Sequence, residues 1–318
     1  MIRLGTSDKD LKRAAELLAH GELVALPTET VYGLAADAGN AEAVGRIFSA
    51  KGRPADHPLI VHLPDIDTLE VWATDVPDTA RRLGRAFWPG PLTLILRKAD
   101  DVPDVVTGGQ DTVGLRVPGH PVALKLLKTF GRALAAPSAN RFGRISPTTA
   151  DHVISEFEGS EMVAAVIDGG PCEVGLESTI VDCSGRHPSI LRPGMISLEQ
   201  LSEALGEVPA LAGELEGPRA SGRLPSHYAP ETKVELVEAD TLLRPDAQAA
   251  VLALADMPNP GGFKGWQALP KDPAAYARSL YAALRELDTL GAERILVQRP
   301  PENPAWAAIL DRLERATA

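Results

Sequence analysis

The sequence predicts an α/β protein: an open, mixed sheet covered by helices, joined to a second and smaller α/β unit. Three observations lead there. Apolar runs of strand length alternate with segments of helical period from residue 7 to residue 182, the pattern that places helices on the faces of a sheet. A stretch rich in glycine, proline and serine, GELEGPRASGRLPSHYAP at residues 213–230, then breaks the rhythm and reads as a linker. Beyond it the alternation resumes. A chain of 318 residues suits two unequal domains, and the expected division is 1–209, a linker at 210–231 and 232–318.

Each element has its own signal. Ser7 and Asp10 begin a helix as a capping box does, Leu11, Leu17 and Leu18 supply its apolar face, and Gly21 ends it. A strand follows at 22–26, stopped by Pro27. Residues 41–49 carry a helical period, 59–63 a strand, 79–87 a helix and 92–97 a strand. The order continues with a strand at 113–117, a helix at 121–130, a strand at 132–136, a helix at 149–157, and strands at 163–167 and 178–182. In the second unit, strands are expected at 234–237 and 250–254, then a loop rich in proline and glycine over 258–273. Asp272-Pro273 supplies an N-cap and a first-turn proline for a helix showing Tyr276, Leu280, Leu284 and Leu287, closed by Gly291. A strand at 294–298 and a helix from Asn303-Pro304 follow.

Hydrophobic residues make up 44% of the chain, enough for a full core. The net charge of −11 argues against a general nucleic-acid binder. Charge is unevenly spread: residues 1–150 hold 18 cations and 17 acids, residues 151–318 hold 14 and 26. Between Thr112 and Ala150 six cations (Arg116, Lys125, Lys128, Arg132, Arg141 and Arg144) stand without an acid, a local basic field suited to a small anionic ligand. Cys172 and Cys183 form neither a CxxC nor a disulfide framework, as expected for buried residues in a reducing compartment. With no leader-like start and no run of 18 apolar residues, a soluble, cytoplasmic protein with no membrane partner is expected.

Several chemistries lack their motif. There is no P-loop, no G-x-G-x-x-G after a strand, no H-E-x-x-H, no zinc spacing of Cys and His, and no G-x-S-x-G elbow around Ser138. No protein metal site is expected.

Five stretches remain. In LPTETVYGL, Thr28 and Thr30 place hydroxyls at a strand end, where plain turn capping serves equally well. In AKGRPADHPLIVH, Lys51 and Arg53 point the same way if the segment is extended, and Pro54 favours that geometry; a solvated pair of cations is the alternative. AAPSANRFGRISPTT sets Ser138, Asn140 and Ser146 beside Arg141 and Arg144, on a turn where backbone can approach a ligand or simply decorate the surface. DGGPCEVGLESTIVD reads as a glycine-rich hairpin ending in Ser178, and ILRPG puts Arg192 before a proline turn; both suit ordinary connections too. Taken together, loops at strand ends that offer cations and hydroxyls without a paired nucleophile and base describe a site that binds anions and lets substrates react with each other.

Read in order, PTETVYGL, KGRPADHPLIVH, WPGPLTLIL, LRVPGHP, APSAN, SPTTADHV, IDGGPCEVGLESTIVD and ILRPG resemble the YrdC-like domain of threonylcarbamoyl-AMP synthases over residues 7–205. HYAP at His227–Pro230 and the second unit resemble the two-domain form of that family. The resemblance implies a YrdC-like open twisted mixed sheet with helices, plus a small Rossmann-like C-terminal domain and a linker that can fold over the site. It implies condensation of L-threonine, bicarbonate and ATP into threonylcarbamoyl-AMP and pyrophosphate, with Mg2+ on the phosphates, for downstream tRNA threonylcarbamoyl-transfer machinery. It also implies catalytic roles for Lys51, Arg53, Ser138 and Asn140. Thr30, His62, Arg116, Ala136 through its backbone, and Ser178 are expected around threonine. Arg53, His57, Thr112, Ser138, Ser146, Arg192 and Tyr228 are expected around ATP. The second unit offers no catalytic constellation, and a supporting or partner role is expected for it.

Two other readings compete with this one. One is RNA binding on the basic field, or a weak tRNA contact, which the net charge and the lack of aromatic platforms near those cations oppose. The other is a carbamoyl-phosphate-using transferase like the hydrogenase-maturation proteins, whose zinc-finger and acylphosphatase-like segments this chain lacks.

Overall fold

The computed structural model describes residues 1–213, 217–222 and 227–318. The linker expected at 210–231 therefore lies partly outside the described residues. The first sheet is built from β1 (Ile2–Leu4), β2 (Leu23–Leu26), β3 (Gly33–Asp37), β4 (Ile60–His62), β5 (Leu92–Arg97), β6 (Thr112–Arg116), β7 (Leu134–Ala135), β8 (Val163–Ile167), β9 (Thr179–Asp182), β10 (Ser189–Arg192) and β11 (Ala210–Leu211). Their spatial order is β1-β8-β2-β3-β7-β4-β6-β5-β9-β10-β11, with parallel and antiparallel neighbours mixed. Successive residues of β2 serve opposite faces. Leu23 and Ala25 pack into the large core, while Val24 and Leu26 pack with Leu11 and Leu18 of α1 (Asp8–Ala19).

Local signals explain the helices that frame the sheet. Ser7 Oγ accepts from the Asp10 amide, and Gly21 leaves the helix with φ of +77°. α2 (Ala41–Lys51) is capped by Asn40 and runs two residues beyond the expected end. Lys51 is thus its last residue, and Gly52 turns the chain at φ of +63°. Lys51 and Arg53 are not neighbours on an extended strand as expected; a helix end and a left-handed glycine bring them to the same side of the fold.

β3 escaped the sequence because GLAAD has neither branched residues nor alternation. It is buried along its whole length as a central strand between β2 and β7. The stretch at 168–182 is no hairpin. β8 pairs with β1 and β2, whereas β9 pairs with β5 and β10 far across the sheet. It is a crossing connection, which is how it reaches the site.

The second unit is a parallel sheet in the order β12 (Lys233–Val237), β15 (Arg294–Gln298), β13 (Ala249–Leu254) and β14 (Gly265–Leu269). β14 falls where a loop was expected: its ends are a glycine and a leucine, and four of its residues are only partly buried or exposed, the weak pattern of an edge strand. A 16-residue helix, Pro273–Asp288, and a C-terminal helix, Ala307–Thr317, cover this sheet. Their buried faces share one apolar cluster with Val31, Ile145, Leu176 and Tyr228 of the preceding chain. The two units are therefore packed together next to the loops that the resemblance marks.

Candidate active site

Three strand ends and three loops meet in one pocket. β4 ends at His62 and β6 at Arg116, and the two residues are register partners on neighbouring parallel strands. β10 ends at Arg192, Ser178 precedes β9, and Ala136 to Ser138 leave β7. Thr28 and Thr30 come from the β2–β3 connection. Thr30, Arg53, His62, Arg116, Ala136, Ser138, Ser178, Arg192 and Tyr228 all line this pocket, so most of the expected ligand-binding set is brought together.

The contacts are specific. Thr28 and Thr30 share a hydroxyl hydrogen bond of 2.8 Å, and Arg116 Nη1 donates to Thr30 Oγ1 at 2.9 Å. Glu29 Oε1 lies 2.7 Å from Arg116 Nη2, an ion pair whose alignment falls outside hydrogen-bond geometry. Arg192 holds Ser178 from two sides, Nε donating to its carbonyl at 3.1 Å and Nη2 to its hydroxyl at 3.2 Å. Arg53 Nη2 donates to the Pro58 carbonyl at 2.9 Å and to Ser221 Oγ at 3.3 Å, while Arg192 Nη1 donates to the Ser221 carbonyl at 2.9 Å. Ser221 thus sits between two guanidinium groups.

Burial sets the charge states. It pushes the His62 imidazole down to about 3, with Arg116 adding to the effect, and His227 likewise to about 3. Both rings are neutral hydrogen-bonding groups at neutral pH. Burial lowers Arg53 only to about 10, so it keeps its charge. Four buried polar groups of this pocket, Arg53 Nε, His62 Nδ1, His227 Nδ1 and the Tyr228 hydroxyl, have no hydrogen-bond partner. Orphaned polar groups are rare in native interiors, and four around one cavity mark a place where a polar ligand belongs.

Other expected residues stand behind this wall. Lys51 Nζ is buried and donates to the Ser138 carbonyl at 2.5 Å and to the Asn140 carbonyl, tying α2 to the loop; burial, with Arg53 next, holds its amine well below the usual lysine range. Asn140 Nδ2 donates to the carbonyls of Arg141 and Arg144 at 2.7 and 2.9 Å. Ser146 is buried and donates to Glu177 Oε1 at 2.5 Å. His57 is partly exposed and packs edge-on against Phe142 at 5.2 Å. Thr112 lines a neighbouring recess with Ile60 and Ser221. Lys51 and Asn140 shape the loop that presents Ser138.

Four of the six cations in the basic field of the sequence are paired in space. Arg116 pairs with Glu29, Lys125 with Asp8, Arg132 with Asp37 and Arg144 with Glu231. Acids distant in sequence neutralise them, which counting along the chain cannot reveal.

Sequence reasoning passed over Glu177, Ser221 and His227 in the pocket, and Tyr281 and Arg312 behind it. Glu177 offered the one available signal: a lone acid inside an apolar run entering a strand. Arg312 offered none, because an arginine in an amphipathic helix looks like a solvated one.

Known proteins share this fold and sequence. A family model described as "Telomere recombination" (Sua5, YciO and YrdC) matches residues 16–194, and one described as "Threonylcarbamoyl-AMP synthase, C-terminal domain" matches residues 196–318. The chain is 41% identical to a threonylcarbamoyl-AMP synthase of Pyrococcus abyssi, covering 99% of this chain and 96% of that one. It is 38% identical to the Bacillus subtilis protein of the same name, covering 98% and 94%. A crystal structure of P. abyssi Sua5 complexed with L-threonine superposes with a TM-score of 0.90 at 37% identity, over 99% of this chain and 97% of that one. Both family models together span nearly the whole chain and the relatives match it end to end, so the chain belongs to the two-domain threonylcarbamoyl-AMP synthase family.

Proposed function

We propose that the pocket condenses L-threonine, bicarbonate and ATP into threonylcarbamoyl-AMP and pyrophosphate, for N6-threonylcarbamoyladenosine formation in tRNA. The observation that carries this reading is the set of four buried polar groups without a hydrogen-bond partner on residues that line one cavity. The threonine amine forms a C–N bond to bicarbonate as a C–O bond of bicarbonate breaks and water leaves, giving a carbamate; its oxygen forms a bond to the α-phosphorus while the bond from that phosphorus to the α,β-bridging oxygen breaks, releasing pyrophosphate. Nothing in this step needs a protein nucleophile. The chain has to gather like-charged partners and hold them in line.

Arg116 presents a guanidinium edge to the threonine carboxylate, steadied by Thr30 and Glu29. His62 and Ser178 offer neutral contacts on the same side. The Ala136 amide is already given to the Ile60 carbonyl at 3.0 Å, so Ala136 has its carbonyl left for the ligand. Arg53 and Arg192 take the phosphates, with Ser221 occupying their donors until ATP arrives. The cavity measures about 50 Å3, room for a few waters, so Ser221, which lies between the two guanidinium groups, has to move aside to admit a nucleotide.

Mg2+ supplies charge neutralisation on the triphosphate when bound. Among the described residues no three His, Cys, Asp or Glu side chains are grouped for a metal, and Glu177 is committed to three donors. The ion is accordingly assigned to the nucleotide, as Mg2+ often is. No described helix is long and apolar enough to cross a membrane, and both cysteines are buried and free, which suits the cytoplasm.

The experiment follows the carbon. With isotopically labelled bicarbonate, ATP and L-threonine, the label is expected in an AMP adduct of threonine carbamate seen by mass spectrometry. An AMP adduct of threonine without the label would contradict the proposal.

A further inference from the structure

Glu177 lines the pocket, yet its carboxylate is occupied from behind. Oε1 accepts from Ser146 at 2.5 Å; Oε2 accepts from the Tyr281 hydroxyl at 2.9 Å and from Arg312 Nε at 2.8 Å. Burial alone would raise this carboxyl, but Arg312, Arg192 and Ser146 together outweigh it and hold it below the usual range. Ser146 and Glu177 belong to the first unit, Tyr281 and Arg312 to the second.

Arg312 has no exposed side-chain surface. Nη2 donates to the Pro193 carbonyl at 3.0 Å and Nη1 to Asp311. Its guanidinium also lies 5.2 Å from the centre of the Tyr228 ring, on which Tyr281 stacks at 5.9 Å. Tyr228 has φ of +63°, a conformation that costs a bulky residue and persists only when its surroundings hold it. The neighbouring His227 amide donates to the Arg315 carbonyl at 3.1 Å. A guanidinium buried this completely is expensive unless every bond it makes is used. A helix needed only for support is served as well by leucine at that position.

We propose that Arg312 and Glu177 act as positioning residues of the pocket: the pair holds Tyr228 in it and fixes Ser146 behind its wall, so that the C-terminal unit sets the geometry of the site. This rests on reading the pocket as the adenylation site.

The test uses the full-length protein and four variants, Arg312→Lys, Arg312→Gln, Glu177→Gln and the Glu177→Gln/Arg312→Gln double. Initial rates are measured against ATP, and trypsin cleavage after the exposed Arg219 is timed without substrates. Each single variant is expected to lose about 10- to 100-fold in kcat/KM, chiefly through KM for ATP, and to be cut faster. Lysine keeps the charge but not the fork, so it too is expected to fail. The double variant is expected to lose no more than the worse single, because both act through one contact. Losses that multiply, or a lower melting temperature with unchanged KM and cleavage, overturn the proposal. If the unmodified protein releases no threonine-dependent pyrophosphate, the functional reading fails and the cleavage rates alone decide: faster cutting in the variants upholds the positioning role, and equal cutting overturns it.

Discussion

Arg53 reaches the pocket with Nη2 committed to Pro58 and Ser221 and Nε without a hydrogen bond, whereas the three Arg116 nitrogens are engaged by Gly90, Thr30 and Glu29. Arg116→Lys keeps the charge but cannot bond Thr30 and a carboxylate together, so KM for threonine is expected to rise about 10- to 100-fold with a smaller change in kcat. Arg53→Ala is expected to lower kcat about 100-fold or more while the protein stays folded, since it removes positive charge where phosphate charge develops and leaves the core intact. Steady-state rates together with circular dichroism check both. His62 gives a pH signature. Its folded value of about 3 lies below the ordinary 6.5, so the unfolded chain binds the extra proton and stability falls as pH drops below 6.5. By pH 5 this amounts to about 2 kcal/mol, which His62→Gln is expected to remove from the pH dependence of unfolding by denaturant. An identical slope in the variant would assign the acid sensitivity elsewhere.

At the scale of elements, the turn after α2 decides where Arg53 points. Gly52 has φ of +63° and open space where a Cβ would stand, so Gly52→Ala is expected to cost about 1 kcal/mol of stability from backbone strain alone. Gly108, also left-handed, has the Asp56 carbonyl where its Cβ would fall, and Gly108→Ala is expected to cost distinctly more in the same unfolding measurement. Such punctuation explains what the sequence disclosed. The helices Pro121–Phe130 and Pro273–Asp288 carry a proline at the start and a periodic apolar face, and both were legible to within a residue or two. β3 and β14 were not, because a central strand of small residues and an edge strand both lack alternation. The site was legible as a set of motifs but not as a shape. Thr30, Arg116 and Ser178 sit at strand ends where composition pointed, whereas the places of Lys51 and Asn140 behind the wall depend on where α2 stops and how the 137–140 loop returns. Glu177 with Arg312 could not be paired from sequence, since their contact spans 135 residues.

At the scale of the molecule, the supporting role expected of the second unit has named contacts. The unit gives Tyr281 and Arg312 to Glu177, and Arg285 to Glu156 at 2.9 Å, and it shares an apolar cluster with Val31, Ile145, Leu176 and Tyr228. A chain ending at residue 231 is therefore expected to lose threonine-dependent pyrophosphate release entirely, rather than to keep part of it. Charge argues at the same scale. With four of the six cations of residues 112–150 neutralised by acids elsewhere and a net charge of −11, tRNA is expected to be retarded in gels only at low salt. Retention that persists at about 0.15 M salt would restore the RNA-binding reading. The central claim is that one pocket joins three substrates, and pyrophosphate release measured while omitting each in turn tests it most directly. The account predicts release with ATP, L-threonine and bicarbonate together, and little when threonine or bicarbonate is withheld. Release at the full rate from ATP without threonine would contradict it.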